Sequence, residues 1–218
     1  MTDPQSVPDF ELVPPSADAL EHRRTMRSAD RRQQIMEAVV EILSARYPEK
    51  FTIKEIAARA DVSEAGLYRH FTSKTQILEG IIAFCDVSIR QMCADIDAQP
   101  GVTMLQRALL KVQTLLRFAE TNPGLTRILD GEALIYEDND LAEQVGRILA
   151  KAETSIRQSL KLAAIEREIP ADTNFSMHAN LMMSFVEGRW RRFSRSGYKV
   201  LPTEGWATAG AFFARLGR

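Results

Sequence analysis

Hydrogen-bonding side chains are concentrated between Ser63 and Lys74, in the stretch SEAGLYRHFTSK. Hydroxyl, imidazole and guanidinium groups can donate hydrogen bonds to phosphate oxygens, and the Lys74 ammonium adds charge attraction. The small residues near the start of the stretch would let a helix approach the edges of nucleic-acid bases closely. The pattern is therefore typical of a surface that binds nucleic acid. The residues that would share this face are Ser63, Glu64, Ala65, Gly66, Tyr68, Arg69 and His70.

Two short helices are predicted to hold this face. Thr52-Ile53-Lys54-Glu55 is a capping box, in which the Thr52 hydroxyl and the Glu55 carboxylate each bond a free amide at the start of a helix. That helix runs to about Ala60, a turn follows, and Ser63 can cap a second helix through His70. This is the size of a helix-turn-helix. The residues predicted to face inward are Ile56, Ala57, Val62, Leu67 and Phe71.

Helical periodicity continues along the rest of the chain, and no strand-like alternation of any length occurs. The sequence therefore predicts an all-α protein of about nine helices, with the first beginning at about Ala29. The longer predicted helices are Lys74 to Asp97, Thr103 to Thr121, Asp140 to about Ile165, Phe175 to Ser196 and Glu204 to Leu216. We expect a disordered acidic-to-basic arm over residues 1–28, a helix-turn-helix domain over 29–75 and a C-terminal helical domain over 76–218.

Charge is distributed unevenly along the 218 residues, although the formal net charge is only −1. Residues 1–21 carry five acidic side chains and no Lys or Arg. Residues 22–75 carry eleven Lys and Arg against seven Asp and Glu. A local excess of positive charge favours a polyanion such as nucleic acid, although solvated basic faces are also common.

Residues suited to other chemistries are scarce or badly spaced. His22, His70 and His178 are scattered, without Cys or carboxylates at ligand spacing, so no metal site is predicted. There is no Gly-rich phosphate loop or nucleophile elbow, so neither an enzyme nor a cofactor is expected. Cys85 and Cys93 fall in one helix, too far apart for a disulfide, and fit reduced thiols. Without an apolar segment of membrane-spanning length or a signal peptide, we expect a cytoplasmic protein without membrane contact.

Spacing alone leaves open a three-helix packing module with a solvated polar face. The segment FTIKEIAARADVSEAGLYRHFTSKTQIL, residues 51–78, resembles the DNA-binding region of TetR-type regulators, whose pattern is T-x-x-x-I-A-x-x-A-x-V-S-x-x-x-L-Y-x-H-F-x-x-K. The resemblance implies a homodimeric, sequence-specific repressor that binds a double-stranded DNA palindrome and dimerises through its last two long helices. It also implies phosphate contacts from Thr52, Tyr68, His70 and Lys74. Residues implied to lie in or near the groove of the DNA are Lys54, Ser63, Glu64, Ala65 and Gly66.

Two further segments resemble the nucleoid occlusion factors within the same family. They are ETNPGLTRILDGEALIYEDNDLAEQVGRI, residues 120–148, and FSRSGYKVLPTEGW, residues 193–206. The resemblance implies, as an alternative to local repression, a nucleoid-associated protein that binds palindromes on the chromosome and inhibits the cell-division GTPase FtsZ. Phe84 and Asn122 match positions that hold the FtsZ C-terminal tail in such relatives. The residue before Asn122, basic in the best-known relatives, is Thr121 here.

Phe84 and Asn122 also have a purely structural interpretation. Phe84 would then belong to the core, and Asn122 would cap a helix that starts at Pro123. An exposed apolar groove between the helix that begins at Lys74 and the helix that ends at Thr121 would favour the partner site instead.

The C-terminal half contains two patterns with alternative interpretations. Arg189 to Arg195 combines bases with aromatics, which is compatible with nucleic acid, but its place at the end of a long helix favours a dimer interface. The predicted interface residues are Phe185, Trp190 and Phe193. Methionines could line a pocket for an apolar small-molecule inducer, although methionine is more often core filler. A helical enzyme or lipid carrier with a large C-terminal pocket is the third possibility, but convergent titratable groups are missing.

Overall fold

The computed structural model describes residues 17–45, 51–137 and 139–215, and of residues 17–27 only the backbone. Within these ranges the chain is all-helical and contains no strand, which confirms the predicted fold class. The α-helices are α1 (Ala17–Leu43), α2 (Ile53–Arg59), α3 (Glu64–Tyr68), α4 (Lys74–Asp97), α5 (Met104–Thr121), α6 (Pro123–Leu129), α7 (Asn139–Ile165), α8 (Phe175–Arg195) and α9 (Trp206–Phe213). A short 3-10 turn, Glu132–Leu134, lies between α6 and α7.

Polar side chains set where the helices of the helix-turn-helix begin. The Glu55 amide donates to Thr52 Oγ1 at 3.3 Å and the Thr52 amide donates to Glu55 Oε2 at 2.9 Å, which confirms the capping box. The Gly66 amide donates to Ser63 Oγ at 3.0 Å, which confirms the cap of α3. Ser73 caps α4 in the same way, and α4 begins at Lys74 as predicted. The orphan amides of these three helix starts are therefore satisfied locally.

Two helix starts differ from the sequence prediction by more than one residue, and α3 ends at Tyr68 instead of His70. Helix α1 begins at Ala17 instead of about Ala29, so the second part of the predicted disordered arm is helical; residues 1–16 lie outside the described residues. The sequence of this segment is rich in charged residues, and the helix was not predicted because the prediction relied on the periodicity of apolar residues. Helix α9 begins at Trp206, not Glu204, because Gly205 takes a left-handed conformation with φ 79° and interrupts the helical path.

One hydrophobic core runs through both predicted domains. In α1 to α3, Ile35, Val39, Ile56 and Leu67 are fully buried, and Phe71 closes the same cluster. Of the other predicted inward residues, Ala57 is buried and Val62 is half-buried. Helix α4 continues this core into a bundle with α5, α7 and α8.

Helix α6 joins α1 to the C-terminal bundle. A Cβ atom placed on Gly124 would lie 2.2 Å from the Val40 carbonyl oxygen, so only glycine permits this approach of α6 to α1. The Arg127 guanidinium, 2% exposed, donates to the carbonyls of Leu43 at 3.3 Å and Ala45 at 3.0 Å. The NPGLTRIL segment thus fixes the end of α1 against the bundle.

Candidate nucleic-acid interface and apolar groove

The outer face of α3 is polar and open to solvent. Glu64, Ala65, Tyr68 and Arg69 are all exposed, and they recur at the spacing of one helical face. Ser63 precedes them, and Thr52 and Lys54 lie exposed at the start of α2. The structure therefore places most of the predicted DNA-binding residues on two neighbouring helix starts. Arg69, which the sequence analysis placed on the polar face but not among the DNA contacts, belongs to this exposed group.

Gly66 and His70 are less open than the rest of this group. A Cβ atom on Gly66 would lie 3.1 Å from Ser63 Oγ and 3.8 Å from Val62 Cβ, so the glycine faces the turn between α2 and α3. Its small size leaves room for the Ser63 cap of α3, and its position in or near the groove of the DNA stays a prediction. His70 is half-buried, and its carbonyl accepts a hydrogen bond from Arg32, whose guanidinium stacks on the Phe71 ring.

Lys74 has three partners inside the protein. Its Nζ lies 2.5 Å from Glu137 Oε1 and 4.0 Å from the centre of the Phe51 ring. It also donates to the Phe51 carbonyl at 3.3 Å. A phosphate at the start of α4 would therefore approach the Lys74 ammonium while it is paired with the Glu137 carboxylate. Glu137 could not be predicted as a partner of Lys74 from the sequence, because the two residues are far apart in the chain.

An open apolar groove of about 430 Å³ lies where α1 and α4 meet the junction of α5 and α6. Phe84, 56% exposed, projects from α4 at this groove, and Asn122 lies at the α5–α6 junction. The two predicted partner residues thus line one surface. The sequence prediction lacked the wall from α1. The lining residues are Gln33, Met36, Glu37, Val40, Glu41, Ile81, Phe84, Asn122 and Leu125.

The Asn122 side chain does not cap α6. Its Nδ2 donates to the Phe118 carbonyl and to Thr121 Oγ1, both at 2.9 Å, whereas α6 has no side-chain cap and starts with Pro123. The capping alternative is therefore wrong, and so is a core role for the exposed Phe84. Both of these hydrogen bonds are donated by Nδ2, and the partly exposed Asn122 side chain also carries a carbonyl oxygen that can act as an acceptor.

Two of the three aromatic residues predicted to form the dimer interface lie inside the protomer. Trp190 is fully buried and donates its indole N–H to the Leu115 carbonyl at 3.0 Å. Phe193 is 3% exposed and packs on the Tyr198 ring. Neither can contact a second subunit, so both interface predictions are wrong: a spacing of three marks one helix face but not which side of the bundle it meets. Phe185 is half-buried and joins α8 to α9 through Trp206 and Phe213.

The C-terminal bundle buries several polar groups. Lys111, 1% exposed, pairs with Asp97 at 2.8 Å and donates to Ser159 Oγ at 2.9 Å. Burial raises the pKa of the Asp130 carboxyl to about 6, although the Glu132 amide donates to it at 2.9 Å. Burial also raises the pKa of the Cys85 thiol to about 12, and both cysteines are free. These groups are held by internal contacts and do not converge on an open site.

None of the helices in the described ranges has the length and apolar character of a membrane span. The described histidine, cysteine and carboxylate side chains do not cluster in a way that could hold a metal ion.

Comparison with known proteins matches both halves of this architecture. Residues 35–81 match the family described as bacterial regulatory proteins, tetR family, and residues 102–216 match the SlmA-like family described as tetracyclin repressor-like, C-terminal domain. The nucleoid occlusion factor SlmA of Vibrio cholerae is 38% identical over 194 residues, which cover 85% of this chain and 96% of the relative. This chain belongs to the TetR family. SlmA of Shewanella oneidensis is 35% identical over 175 residues, which cover 80% of this chain and 88% of that relative.

Crystal structures of other family members share the fold. A TetR-family transcriptional regulator from Rhodococcus superposes with a TM-score of 0.70 at 19% identity, covering 86% of this chain and 98% of the other. FadR from Bacillus subtilis, in complex with stearoyl-CoA, superposes with a TM-score of 0.69 at 16% identity over 84% of this chain and 97% of the other. This TetR-type chain therefore has the fold of a DNA-binding regulator, with α2 and α3 as its helix-turn-helix.

Proposed function

We propose that this protein is a nucleoid occlusion factor. In this proposal a homodimer binds DNA palindromes on the chromosome through α2 and α3, and each subunit holds the C-terminal tail of FtsZ in the groove of α1, α4 and the α5–α6 junction. The single observation that carries the proposal is the convergence of Phe84 and Asn122 on one open apolar groove. The curated relatives named nucleoid occlusion factor SlmA, which match most of the chain, support it.

The DNA-binding half of the proposal rests on the exposed face of α3. Ala65 allows close approach to base edges, whereas Tyr68 and Arg69 can reach phosphates on either side of the major groove. Two such faces must sit about 34–36 Å apart to enter successive major grooves of a palindrome. A dimer of fixed geometry meets that requirement, and a monomer does not.

Helices α8 and α9 are the proposed dimer interface. Met177 and Leu181 are exposed on one side of α8, at a spacing of four, and Phe212 is 61% exposed on α9. A second copy of this chain is the occupant that these faces fit, because a two-fold axis brings the same apolar patch from both subunits together. Trp190 and Phe193, on the inner side of α8, stabilise the helix that presents the patch.

The groove has the features of a site for an extended peptide. An apolar peptide side chain that covers the exposed Phe84 ring would gain up to about 2–3 kcal/mol from burial. The Asn122 carbonyl oxygen can accept a hydrogen bond from a peptide N–H, as in other peptide-recognition grooves. Two carboxylates line the α1 side of the groove; Glu41 pairs with Arg59 at 3.2 Å, so Glu37 is the one that we expect to attract a basic peptide residue.

The second candidate is a local repressor controlled by an apolar inducer. Two of the methionines that could line an inducer pocket are not available for it, because Met182 and Met183 are packed in the core with at most 1% exposure. Met92 and Met104 pack on the same core, and Met177 lies on the exposed side of α8. The open groove at Phe84 favours the occlusion candidate over this one.

The test is binding of a fluorescent peptide that copies the FtsZ C-terminal tail, measured by anisotropy with palindromic DNA present. We expect Phe84→Ser to weaken peptide binding at least tenfold, because roughly 1.5–3 kcal/mol of apolar burial is lost with the ring. DNA affinity should stay unchanged.

Val87→Ser is the matched control for this experiment. Val87 is 57% exposed on the same helix but does not line the groove. We expect it to bind the peptide like wild type. Absence of wild-type binding up to millimolar peptide would reject the occlusion function and leave local repression. Equal losses in both variants would reject the groove as the site.

A further inference from the structure

The Lys74 ammonium lies at a boundary between the two halves of the molecule. It projects from the first residue of α4, directly after the helix-turn-helix, and its carboxylate partner Glu137 belongs to the segment between the 3-10 turn and α7. Both side chains are mostly buried, at 18% and 13% exposure. The pair is therefore a contact between the DNA-binding and C-terminal halves, and it is less screened by solvent than a surface ion pair.

The segment that carries Glu137 is itself anchored. Glu132 forms an ion pair with the buried Arg127 at 3.3 Å, and the Glu137 amide donates to the Leu134 carbonyl at 3.0 Å. Arg127 in turn holds the end of α1. A folded segment therefore holds the Glu137 carboxylate within ion-pair distance of the Lys74 ammonium.

The same ammonium is the predicted phosphate ligand of α4. A lysine at the first turn of a helix, together with the free amides there, suits an anion. A phosphate and the Glu137 carboxylate compete for the same ammonium, because Glu137 and the Phe51 carbonyl already engage two of its three N–H donors and the two anions repel each other at close range.

We propose that Glu137 is a built-in competitor of DNA phosphate for Lys74. The protein without DNA keeps the Lys74–Glu137 pair closed, and binding DNA requires the pair to open and the segment around Glu137 to loosen. The contact lowers DNA affinity, because part of the binding free energy is used to open the pair. This inference rests on the phosphate-binding role of Lys74 within the proposed function.

The first test is DNA binding by Glu137→Gln. The probe is a random-sequence duplex of roughly 30 base pairs, about three helical turns, because a phosphate contact does not depend on sequence. We expect the variant to bind roughly three- to thirty-fold tighter, as for the release of one partly buried charge pair. We expect the slope of log K against log salt to stay unchanged, because Lys74 contacts the same phosphate in both proteins once the pair has opened.

Glu143→Gln is the matched control, because it removes the same charge from an exposed ion pair on α7. A general gain from lower negative charge would appear equally in both variants, and that result would overturn the proposal. The variant Lys74→Met keeps the side-chain stem on the Phe51 ring but removes the charge. In that background Glu137→Gln should no longer change DNA affinity, and an undiminished gain would also overturn the proposal.

A second readout follows the segment itself. Hydrogen exchange of the amides at Leu134 and Glu137, which are bonded within this segment, should become faster when the wild type binds the duplex. Unchanged or slower exchange would contradict opening of the pair. Failure of the proposed function would instead appear as loss of DNA or FtsZ-tail binding by the wild type, so the two failures are distinguishable.

Discussion

Replacing Gly124 with alanine tests whether the contact of α6 with α1 holds the two halves of the molecule together. The added Cβ would lie 2.2 Å from the Val40 carbonyl oxygen and 2.7 Å from Ser44 Oγ. Since non-bonded atoms prefer about 3.5 Å, α6 would have to move away from α1 by roughly 1 Å. The nearest atom belongs to the backbone, so no side chain can rotate to relieve the contact.

The magnitude follows from what that movement disturbs. Overpacking of this kind costs about 1–3 kcal/mol, and a strained hydrogen bond from the buried Arg127 to Leu43 or Ala45 adds about 1–2 kcal/mol. The higher helix propensity of alanine offsets up to about 1 kcal/mol. We expect a net loss of about 2–3 kcal/mol in the free energy of unfolding.

Urea unfolding followed by circular dichroism measures this loss. With a slope of about 2 kcal/mol per molar urea, the midpoint should fall by about 1 M at a fixed protein concentration. Gly146→Ala is the control, because Gly146 is also helical but has nothing within 4 Å of an added Cβ. It should be neutral or slightly stabilising. If Gly124→Ala is as stable as Gly146→Ala, the close approach of α6 does not constrain the fold.

Two other predictions concern α8 and Asp130. Leu181→Glu places a charge on the exposed side of α8, so it should give monomers in sedimentation and weaken palindrome binding at least tenfold. Trp190→Phe is the control, and it should lower stability but leave the dimer intact. If Leu181→Glu remains dimeric, this side of α8 is not the interface. Because burial raises the folded pKa of Asp130 to about 6 from 3.8, the folded state retains a proton between these pH values and stability falls as pH rises through them. Asp130→Asn should therefore stabilise the protein at pH 7.5 and have little effect near pH 4, and equal effects at both would refute the buried-carboxylate explanation.

Local features explain which parts of the fold could be predicted from the sequence. The starts of α2, α3 and α4 were predictable because Thr52, Ser63 and the residues around Lys74 carry their capping signals within a few positions. The early start of α1 was not, because its first residues present no apolar stripe. Periodicity detects burial, and a helix that is polar over several turns escapes it.

The candidate sites were likewise predictable only where the signal is local in the sequence. Phe84 and Asn122 were found by motif, but the α1 wall of their groove depends on the tertiary contact of α1 with α4 and α6. Trp190 and Phe193 were misplaced because a heptad-like spacing does not say whether a face meets the core or a second subunit. Glu137 could not be paired with Lys74 from sequence, since only the fold brings these distant residues together.

The proposed occlusion function can be tested by sequencing the DNA that the protein retains on its own chromosome. A nucleoid occlusion factor has to bind at many places along the chromosome, so we expect many palindromic sites distributed along it. Enrichment of these sites should be lost when Ala65→Asp places a charge on the exposed face of α3. Retention of a single site beside its own or a neighbouring gene would contradict the occlusion function and identify the protein as a local repressor.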